Sequence, residues 1–287
     1  MLKIEHLSKD FDGFPVLIDL SWTIPDQKIV GLIGANGSGK STLLRCISGV
    51  YVPRQGILTY NDRPLKESRQ FLMSIPDEPF YVSRFSTREM TMFYKSFYKT
   101  FSDEEYQKLL AAFQFDENKP IHQLSKGLKR QSAIILGLSC MPKLITMDES
   151  FDGLDPRMRL TLKRELIRRV SEEGCSVIIS SHNIRELEDI CDEMALLENH
   201  SIAFTKTLEE LNNNYHKVQL GYEQSPDPSL FKDMNLLNLE ITNRIATVIY
   251  KGDETMGKIQ QTHPLLINPL PISMEEIFVA EMEENHE

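Results

Sequence analysis

Short apolar segments alternate with helical stretches over the first 206 residues. Seven segments have the length and composition of strands: LKIEHL, KIVGLIG, GILTY, FLMSI, KLITMDE, CSVIIS and MALLE. Helices are predicted at 40–48, 157–173 and 183–190. This alternation predicts an α/β fold in which helices cover a mostly parallel sheet. The first strands, which the turn-like segments FDGFP and IPDQ interrupt, are instead predicted to form a small antiparallel sheet.

Two further regions depart from this alternation. Between residues 78 and 141 the pattern is mostly helical, which predicts an inserted helical subdomain. After residue 206, NNN and QSPDPS mark loops, YHKVQLGYE and LEITNRIATVIYKG alternate like strands, and SMEEIFVAEMEEN has a serine cap and helical spacing. We therefore predict two domains, 1–206 and 207–287, the second a small α+β accessory unit.

Aromatic residues recur at helical spacing in the first part of this helical subdomain. Phe93, Phe97 and Phe101 are four residues apart on one side of a predicted helix, with Tyr94 and Tyr98 beside them. Such a stripe most often packs into the core, and that is our prediction. A groove for a partner protein is the alternative.

Charge and cysteine usage narrow the function classes. The net charge is −10, and residues 205–287 hold 14 acidic against 6 basic residues. Such a surface repels a phosphate backbone, so we predict no nucleic-acid partner.

The four cysteines have neither Cys-x-x-Cys nor zinc spacing, which predicts reduced, buried thiols. Because the sequence has no apolar run of about 18 residues and no signal peptide, we expect a cytoplasmic protein.

The segment GANGSGKS, residues 34–41, is the strongest chemical signal. It fits the phosphate-loop pattern G-x-x-x-x-G-K-[ST] and lies between a predicted strand and a predicted helix, as that motif requires. Glycines let backbone N–H groups face phosphates, and the helix N-terminus adds partial positive charge. We predict that Lys40 holds the β- and γ-phosphates of ATP, that Ser41 ligates Mg²⁺ and that Thr42 assists at the α-phosphate. The predicted ATP-binding residues of this segment are Gly34, Asn36, Gly37, Ser38, Gly39, Lys40, Ser41 and Thr42.

Two carboxylates follow a second predicted strand. Asp148 and Glu149 end the segment KLITMDE, at the edge where open parallel sheets bind their ligands. Asp148 is predicted to ligate Mg²⁺, and Glu149 to act as the catalytic base that orients or deprotonates the attacking water. A solvated acidic strand end is the usual interpretation of an isolated pair, but the phosphate loop upstream favours the catalytic one.

Two side chains with rings, His182 and Phe11, are further candidates for contacts with ATP. His182 follows the strand CSVIISS and is placed to reach a γ-phosphate, with an incidental loop histidine as the alternative. Phe11, in SKDFDG, is available to stack on adenine, although a core aromatic fits the local pattern nearly as well.

These residues, in this order, resemble the nucleotide-binding domains of ATP-binding cassette (ABC) transporters, over residues 1 to about 204. HQLSKGLKRQ is similar to the family signature Leu-Ser-Gly-Gly-Gln, with Lys126 and Leu128 in place of a glycine and the glutamine. The resemblance implies a P-loop ABC ATPase core in which Ser125 and Gly127 meet the γ-phosphate held by the opposite subunit. It also implies that FDGLDP lines the dimer seam.

SIPDEP lies where these proteins usually carry a glutamine that senses magnesium and the membrane subunit. The resemblance puts Asp77 at that position. An aspartate there could ligate Mg²⁺ directly or through water, with a shorter reach and an extra charge.

PDEP, STREM and the C-terminal extension resemble the ATPases of bacterial ABC-2-type exporters. The resemblance implies an ATPase on the inner face of the cell membrane that pairs with a second copy or another ABC ATPase. Its hydrolysis of ATP would drive export of substrates such as peptides or toxins through a separate membrane permease.

One alternative function is an ATP-dependent regulatory switch, which the altered signature and Asp77 would suit. Another is a soluble cassette protein acting on nucleic acid or ribosomes, but such proteins usually have two cassettes or a long coiled coil, and this sequence has neither.

Overall fold

The computed structural model describes residues 1–82, 84–252 and 254–284. The chain divides into two compact units, Met1–Thr205 and Lys206–Glu287. Each unit buries a hydrophobic cluster of its own. The elements of the first unit are β1 (Leu2–Phe11), β2 (Phe14–Ile24), β3 (Ile29–Ile33), α1 (Lys40–Ser48), β4 (Gln55–Tyr60), β5 (Arg63–Pro64), β6 (Leu72–Ile75), α2 (Thr87–Phe97), α3 (Asp103–Phe113), α4 (Lys126–Ser139), β7 (Leu144–Asp148), α5 (Pro156–Glu173), β8 (Ser176–Ser180), α6 (Arg185–Glu188), β9 (Glu193–Glu198) and β10 (Ser201–Thr207).

A six-stranded sheet, in the order β10-β9-β3-β8-β7-β6, forms the centre of the first unit. β3 pairs in parallel with β8 and β9, and β7 pairs in parallel with β6 and β8. β3, β7 and β8 are buried at every position, as expected for parallel strands covered on both faces. The parallel pairing brings the carboxyl ends of these three strands to one edge of the sheet.

A four-stranded sheet, in the order β2-β1-β4-β5, contributes the second layer, and its registered pairs are antiparallel. The predicted α/β architecture, with its antiparallel sheet, is therefore confirmed. The segment GILTY joins this antiparallel sheet, because β4 pairs with β1 and sets Tyr60 opposite Leu2. β2 begins within the turn-like segment FDGFP and ends at the start of IPDQ, so it lies in the region predicted to form this sheet, although it was not one of the seven strand segments named from the sequence. Its apolar alternation is broken near Asp19, which has a φ of +46°.

Helices α2, α3 and α4 follow β6, in the region predicted to be helical. α2 starts with a capping box between Ser86 and Glu89 and ends at Phe97, so Phe101 lies outside the helix. The face of α2 that packs inward carries Thr87, Met90 and Thr91. The prediction that the aromatic stripe is core is wrong for two of its members, since Phe93 is 41% exposed and Phe97 is 76% exposed.

The helix predicted at 183–190 is shorter, because only Arg185–Glu188 forms α6. Helices predicted at 40–48 and 157–173 correspond closely to α1 and α5. α5 begins where Asp155 caps it by accepting a hydrogen bond from the backbone N–H of Met158, at 3.0 Å. Proline at position 156 then occupies the first turn, where its missing N–H costs nothing.

The strands of the second unit are β11 (Tyr215–Gly221), β12 (Leu236–Thr242), β13 (Ile245–Lys251) and β14 (Leu266–Leu270). They form one antiparallel sheet in the order β12-β13-β11-β14. Its segment LEITNRIATVIYKG contributes to a hairpin that turns at Asn243, whose φ is +56°. The C-terminal helix starts as predicted, because Ser273 and Glu276 exchange side-chain to backbone hydrogen bonds. The α-helices of this unit are α7 (Leu208–Asn214), α8 (Glu254–Gln261) and α9 (Met274–Glu284).

The four cysteines agree with the prediction of buried thiols. Cys46, Cys140, Cys175 and Cys191 are all buried and free. Burial raises the pKa of the Cys46 thiol to about 11, so it stays protonated at neutral pH. Within the parts of the chain that the structure describes, no helix combines the length and the hydropathy needed to cross a bilayer.

Candidate active site

The phosphate loop connects the carboxyl end of β3 to the first turn of α1. Gly39 caps α1 with a φ of +110°, a backbone conformation that favours glycine. The loop also packs closely on the sheet, because a Cβ on Gly34 would stand 2.5 Å from the carbonyl oxygen of Leu197. Side chains at these two positions would displace the loop. The N–H groups of the first helical turn remain available for an anion.

Ser38 is a polar side chain without a partner inside this loop. Its Oγ is buried and makes no hydrogen bond to any of the described residues. Asn36 and Gly37 are exposed at the tip of the loop, and Ser41 and Thr42 are half-buried in the first turn of α1. A phosphate chain provides the acceptors that a buried hydroxyl and a helix N-terminus need. The residues present therefore fit a bound triphosphate.

Lys40 is folded back onto the loop that carries it. Its Nζ donates hydrogen bonds to the carbonyl oxygens of Gly34, at 2.7 Å, and Ala35, at 3.1 Å, and its side chain is 6% exposed. Burial lowers the pKa of Lys40, while the nearby carboxylates of Glu149 and Asp148 act in the opposite direction. The ammonium is held by neutral carbonyls in a poorly solvated position, where a phosphate oxygen would be a stronger acceptor.

Asp148 ends β7 on the same edge of the sheet. Its side chain is 4% exposed, and its Oδ1 accepts a hydrogen bond of 2.6 Å from the Ser180 hydroxyl. Register places Asp148 beside Ser180 in the parallel pair of β7 and β8. Ser180 fixes the carboxylate and leaves its second oxygen for a cation. A hydroxyl at position 41 and a carboxylate at position 148 are the hard oxygen ligands that Mg²⁺ prefers.

Glu149 has a left-handed backbone, with a φ of +47°, which is uncommon for a non-glycine residue. Its N–H donates to the backbone oxygen and the Oγ of Ser180, both at 3.2 Å. Its carboxylate accepts a 2.8 Å hydrogen bond from Nδ1 of His182. Oxygen or nitrogen atoms of Glu149, Asp152 and His182 all lie within 4.8 Å of one another. The turn after β7 therefore aims the carboxylate at His182, two residues after the end of β8.

The hydrogen bond from His182 to Glu149 raises the pKa of the imidazole, and the negative charge of Glu149 adds to this effect. Because the folded-state value is raised, the pair stabilises the fold fully below pH 6.5, and the contribution is lost as the pH rises through the raised pKa. We expect an NMR titration of His182 to give a pKa above 6.5, and Glu149→Gln to move it back towards 6.5. The same titration midpoint in both proteins would contradict the pairing.

The signature segment forms the start of α4. Ser125 is its N-cap and accepts a 3.3 Å hydrogen bond from the N–H of Leu128, while Ser125 and Lys126 are both exposed. At Gly127 a Cβ would stand 2.3 Å from the backbone oxygen of Gly153. Glycine is thus required at this position, since the signature segment packs directly on FDGLDP. The N-terminus of α4 thus lies at the surface, next to FDGLDP.

Phe11 and Asp77, the remaining predicted site residues, contact residues outside the phosphate loop and β7. Phe11 is 38% exposed, so the core interpretation is wrong for it, and its ring makes an edge contact with Tyr51 at 5.1 Å between centroids. Asp77 forms an ion pair with Arg130, one of the most deeply buried side chains of α4.

The sequence analysis did not predict two residues of the site, Ser180 and Arg130. The parallel register of the two strands would have indicated Ser180, because it directly follows the segment SVII at the same sheet edge.

Comparison with known proteins assigns this chain to a family. Residues 17–152 match the family described as ABC transporter. The chain is 30% identical over 286 residues to the ABC transporter ATP-binding protein YtrB of Bacillus subtilis, a match that covers 98% of this chain and 97% of YtrB. The chain belongs to the ATP-binding proteins of ABC transporters.

Further relatives agree with this assignment. The lantibiotic transport ATP-binding protein SrtF of Streptococcus pyogenes is 30% identical over 224 residues, covering 75% of this chain and 96% of SrtF. A solved structure of an ATP-binding subunit of an ABC transporter superposes with a TM-score of 0.68 at 27% identity, over 74% of this chain and 92% of the other. As an ABC ATPase, the protein binds ATP with Mg²⁺ and hydrolyses it.

Proposed function

We propose that this ABC ATPase subunit powers export through a separate membrane protein, by closing as a dimer on ATP. The observation that carries the proposal is the meeting of Lys40, Asp148, Glu149 and His182 at one edge of the parallel sheet. This edge holds a cation for phosphate, a carboxylate for magnesium, a carboxylate for the attacking water and an imidazole for the γ-phosphate. These are the parts that hydrolysis of a phosphoanhydride requires.

In the proposed binding mode, the loop from Gly34 to Gly39 surrounds the phosphates with backbone N–H groups. Lys40 exchanges its two carbonyl acceptors for β- and γ-phosphate oxygens. The Ser41 hydroxyl and the Asp148 carboxylate would hold the magnesium ion. Thr42 reaches the α-phosphate, and Phe11 supplies a partly exposed ring for the adenine. Asn36, Gly37 and Ser38 complete the loop.

Bound magnesium would neutralise charge on the phosphates and orient them. Glu149 then orients and deprotonates the water that attacks the γ-phosphate. Its carboxylate is fixed from one side by His182, at 2.8 Å, and its N–H is fixed by Ser180. His182 keeps its Nε2 for a γ-phosphate oxygen. Asp77 is engaged by Arg130, and we propose that it acts on hydrolysis through that ion pair and not as a magnesium ligand.

Each proposed active site is completed by a facing subunit. Ser125 and the N–H groups after it stand exposed at the N-terminus of α4, which attracts anions. We place them on the γ-phosphate bound to the opposite chain, with Gly127 allowing the close contact. ATP then joins two subunits, and its hydrolysis removes contacts on both sides and weakens the closed state. The facing chain is a second copy or another ABC ATPase.

The proposed contact with the membrane permease is an apolar groove of about 350 Å³ on the helical subdomain. Its exposed apolar side chains include Phe80, Phe93 and Phe97, and the half-buried Tyr94 and Tyr98 line it as well. Exposed aromatic side chains gathered in one groove are typical of a protein interface. Docking there would hold the subunit at the inner face of the membrane.

Phe97→Asp is expected to release the permease, because a charge replaces an apolar side chain that is buried only in the complex. The measurement is a pull-down of the tagged chain from membranes of the source cells, with identification of the integral membrane protein that it recovers. Leu230→Asp, which changes an exposed leucine of the second unit, is the control and should recover it normally. Equal recovery by both variants would contradict the groove, and recovery of ribosomal or DNA-bound partners alone would contradict the transporter role.

Peptides or toxins are the proposed cargo. This part of the proposal is supported by the likeness to SrtF, whose name describes lantibiotic transport. The permease recovered in the pull-down can be assayed with the ATPase in inverted membrane vesicles. ATP-dependent accumulation of a lantibiotic peptide inside those vesicles indicates export, and its absence contradicts this cargo.

A further inference from the structure

Arg130 connects two segments that the sequence separates by more than 70 residues. It lies in the second turn of α4, next to the signature segment, and its side chain is 2% exposed. Nη1 donates to the backbone oxygen of Glu149. Nη2 donates to the backbone oxygen of Asp77, at 2.7 Å, and also to the Asp77 carboxylate. One planar guanidinium therefore bridges Asp77 and the proposed catalytic base.

The contact with Glu149 falls at a residue whose backbone lies in the left-handed region. A non-glycine residue with a φ of +47° persists only when its surroundings hold both of its flanking peptide groups. Ser180 holds the N–H of Glu149, and Arg130 holds its carbonyl oxygen. Rotation of that carbonyl would turn the Glu149 side chain away from His182. Arg130 is thus placed to set the direction of the carboxylate without touching the substrate.

The support that Arg130 gives to Glu149 depends on the contact between Arg130 and Asp77. A buried guanidinium needs a counter-charge, and Asp77 is the only acidic side chain paired with Arg130 among residues 1–82, 84–252 and 254–284. In the same described residues, Nε of Arg130 has no acceptor. Arg130 therefore has no second ion pair to hold it in position if Asp77 moves.

Asp77 also lies at the edge of the groove proposed for the permease. Pro76 and Pro79, on either side of it in the chain, both line that groove. A partner that fills the groove and shifts this short segment would move Asp77 and, through it, the guanidinium. The chain of contacts runs from the groove to Asp77, then to Arg130 and the Glu149 carbonyl.

We propose that Arg130 is a positioning residue that couples the segment at Asp77 to the orientation of Glu149. With the ion pair formed, the left-handed turn at Glu149 is held and the carboxylate is directed at the attacking water. With the ion pair broken, the turn relaxes and hydrolysis slows while ATP stays bound. The inference rests on the proposed role of Glu149 as the base.

The test compares steady-state kcat and the ATP dissociation constant in four variants of the full chain. We expect Arg130→Met to lower kcat by about 100-fold, the size of effect that a misplaced catalytic group can produce, with ATP affinity unchanged. Asp77→Asn keeps both backbone hydrogen bonds and removes only the charge, so its decrease in kcat should be smaller. The double variant should be no slower than Arg130→Met alone, since Asp77 acts through Arg130. Arg130→Lys keeps a charge but lacks the planar fork, and should fall between wild type and Arg130→Met.

Arg169→Met is the matched control, because Arg169 is equally buried in ion pairs with Glu105, Glu165 and Glu173, none of which belongs to this site. It should lower thermal stability with kcat per folded molecule unchanged. Equal losses of kcat in the Arg130 and Arg169 variants, additive effects of the Asp77 and Arg130 changes, or a normal kcat in Asp77→Asn would each overturn the coupling. Glu149→Gln is run beside them. If it hydrolyses ATP normally, the proposed base is wrong; if it alone is inactive, the base stands and only the coupling fails.

Discussion

Glu149→Gln is expected to reduce ATP turnover by about 100- to 10,000-fold, the usual contribution of a positioned general base, while ATP still binds. Glutamine keeps the size of the side chain and can still accept a hydrogen bond from His182. It lacks the charge and basicity needed to take a proton from water. Because ATP that is not hydrolysed continues to join the two subunits, the variant should also accumulate in the closed, ATP-bound state.

The measurement is steady-state phosphate release, with ATP binding measured on the same preparation. Glu67→Gln changes an exposed glutamate outside the site and should leave both quantities unchanged. Turnover at the wild-type rate in Glu149→Gln would remove Glu149 as the base. A loss of ATP binding in that variant would instead indicate a role in holding the nucleotide.

Lys40→Ala is expected to weaken MgATP binding by at least about 100-fold. Lys40 is proposed to make charge-assisted hydrogen bonds to two phosphates, and each such bond contributes about 1.5–3 kcal/mol. The change also removes the cation that faces Asp148 and Glu149. Without it, those carboxylates would repel the phosphates and weaken binding further.

Isothermal titration calorimetry with MgATP checks this expectation. Lys232→Ala, at an exposed position of the second unit, is the charge-matched control. Unchanged affinity in Lys40→Ala would contradict the assignment of the phosphate loop as the binding site. Equal weakening in both variants would show that the effect comes from net charge alone.

Much of the fold follows from local sequence patterns. The apolar segments KIVGLIG and KLITMDE predict β3 and β7 to within a residue or two, because buried parallel strands need uninterrupted apolar residues. Strand ends in a parallel sheet share one edge, so the sequence also predicts that Lys40 and Asp148 lie near each other. The glycine spacing of the phosphate loop adds a backbone requirement that few residues other than glycine meet.

Other features depend on contacts between distant segments, which local patterns do not encode. The same four-residue spacing fits a buried stripe and an exposed groove, so exposure of Phe93 and Phe97 could not be predicted. GILTY has the composition of any short strand, and only its pairing with β1 shows which sheet it joins. The position of Arg130 depends on three segments that meet only in the folded chain.

The proposal that ATP joins two subunits is tested most directly by small-angle X-ray scattering of Glu149→Gln, alone or mixed with any second cassette recovered alongside it. On addition of MgATP, the mass should rise from that of one 33.1 kDa chain to that of two, and Ser125→Glu should prevent the rise by repelling the γ-phosphate. A protein that binds ATP but keeps the mass of a single chain would contradict the account.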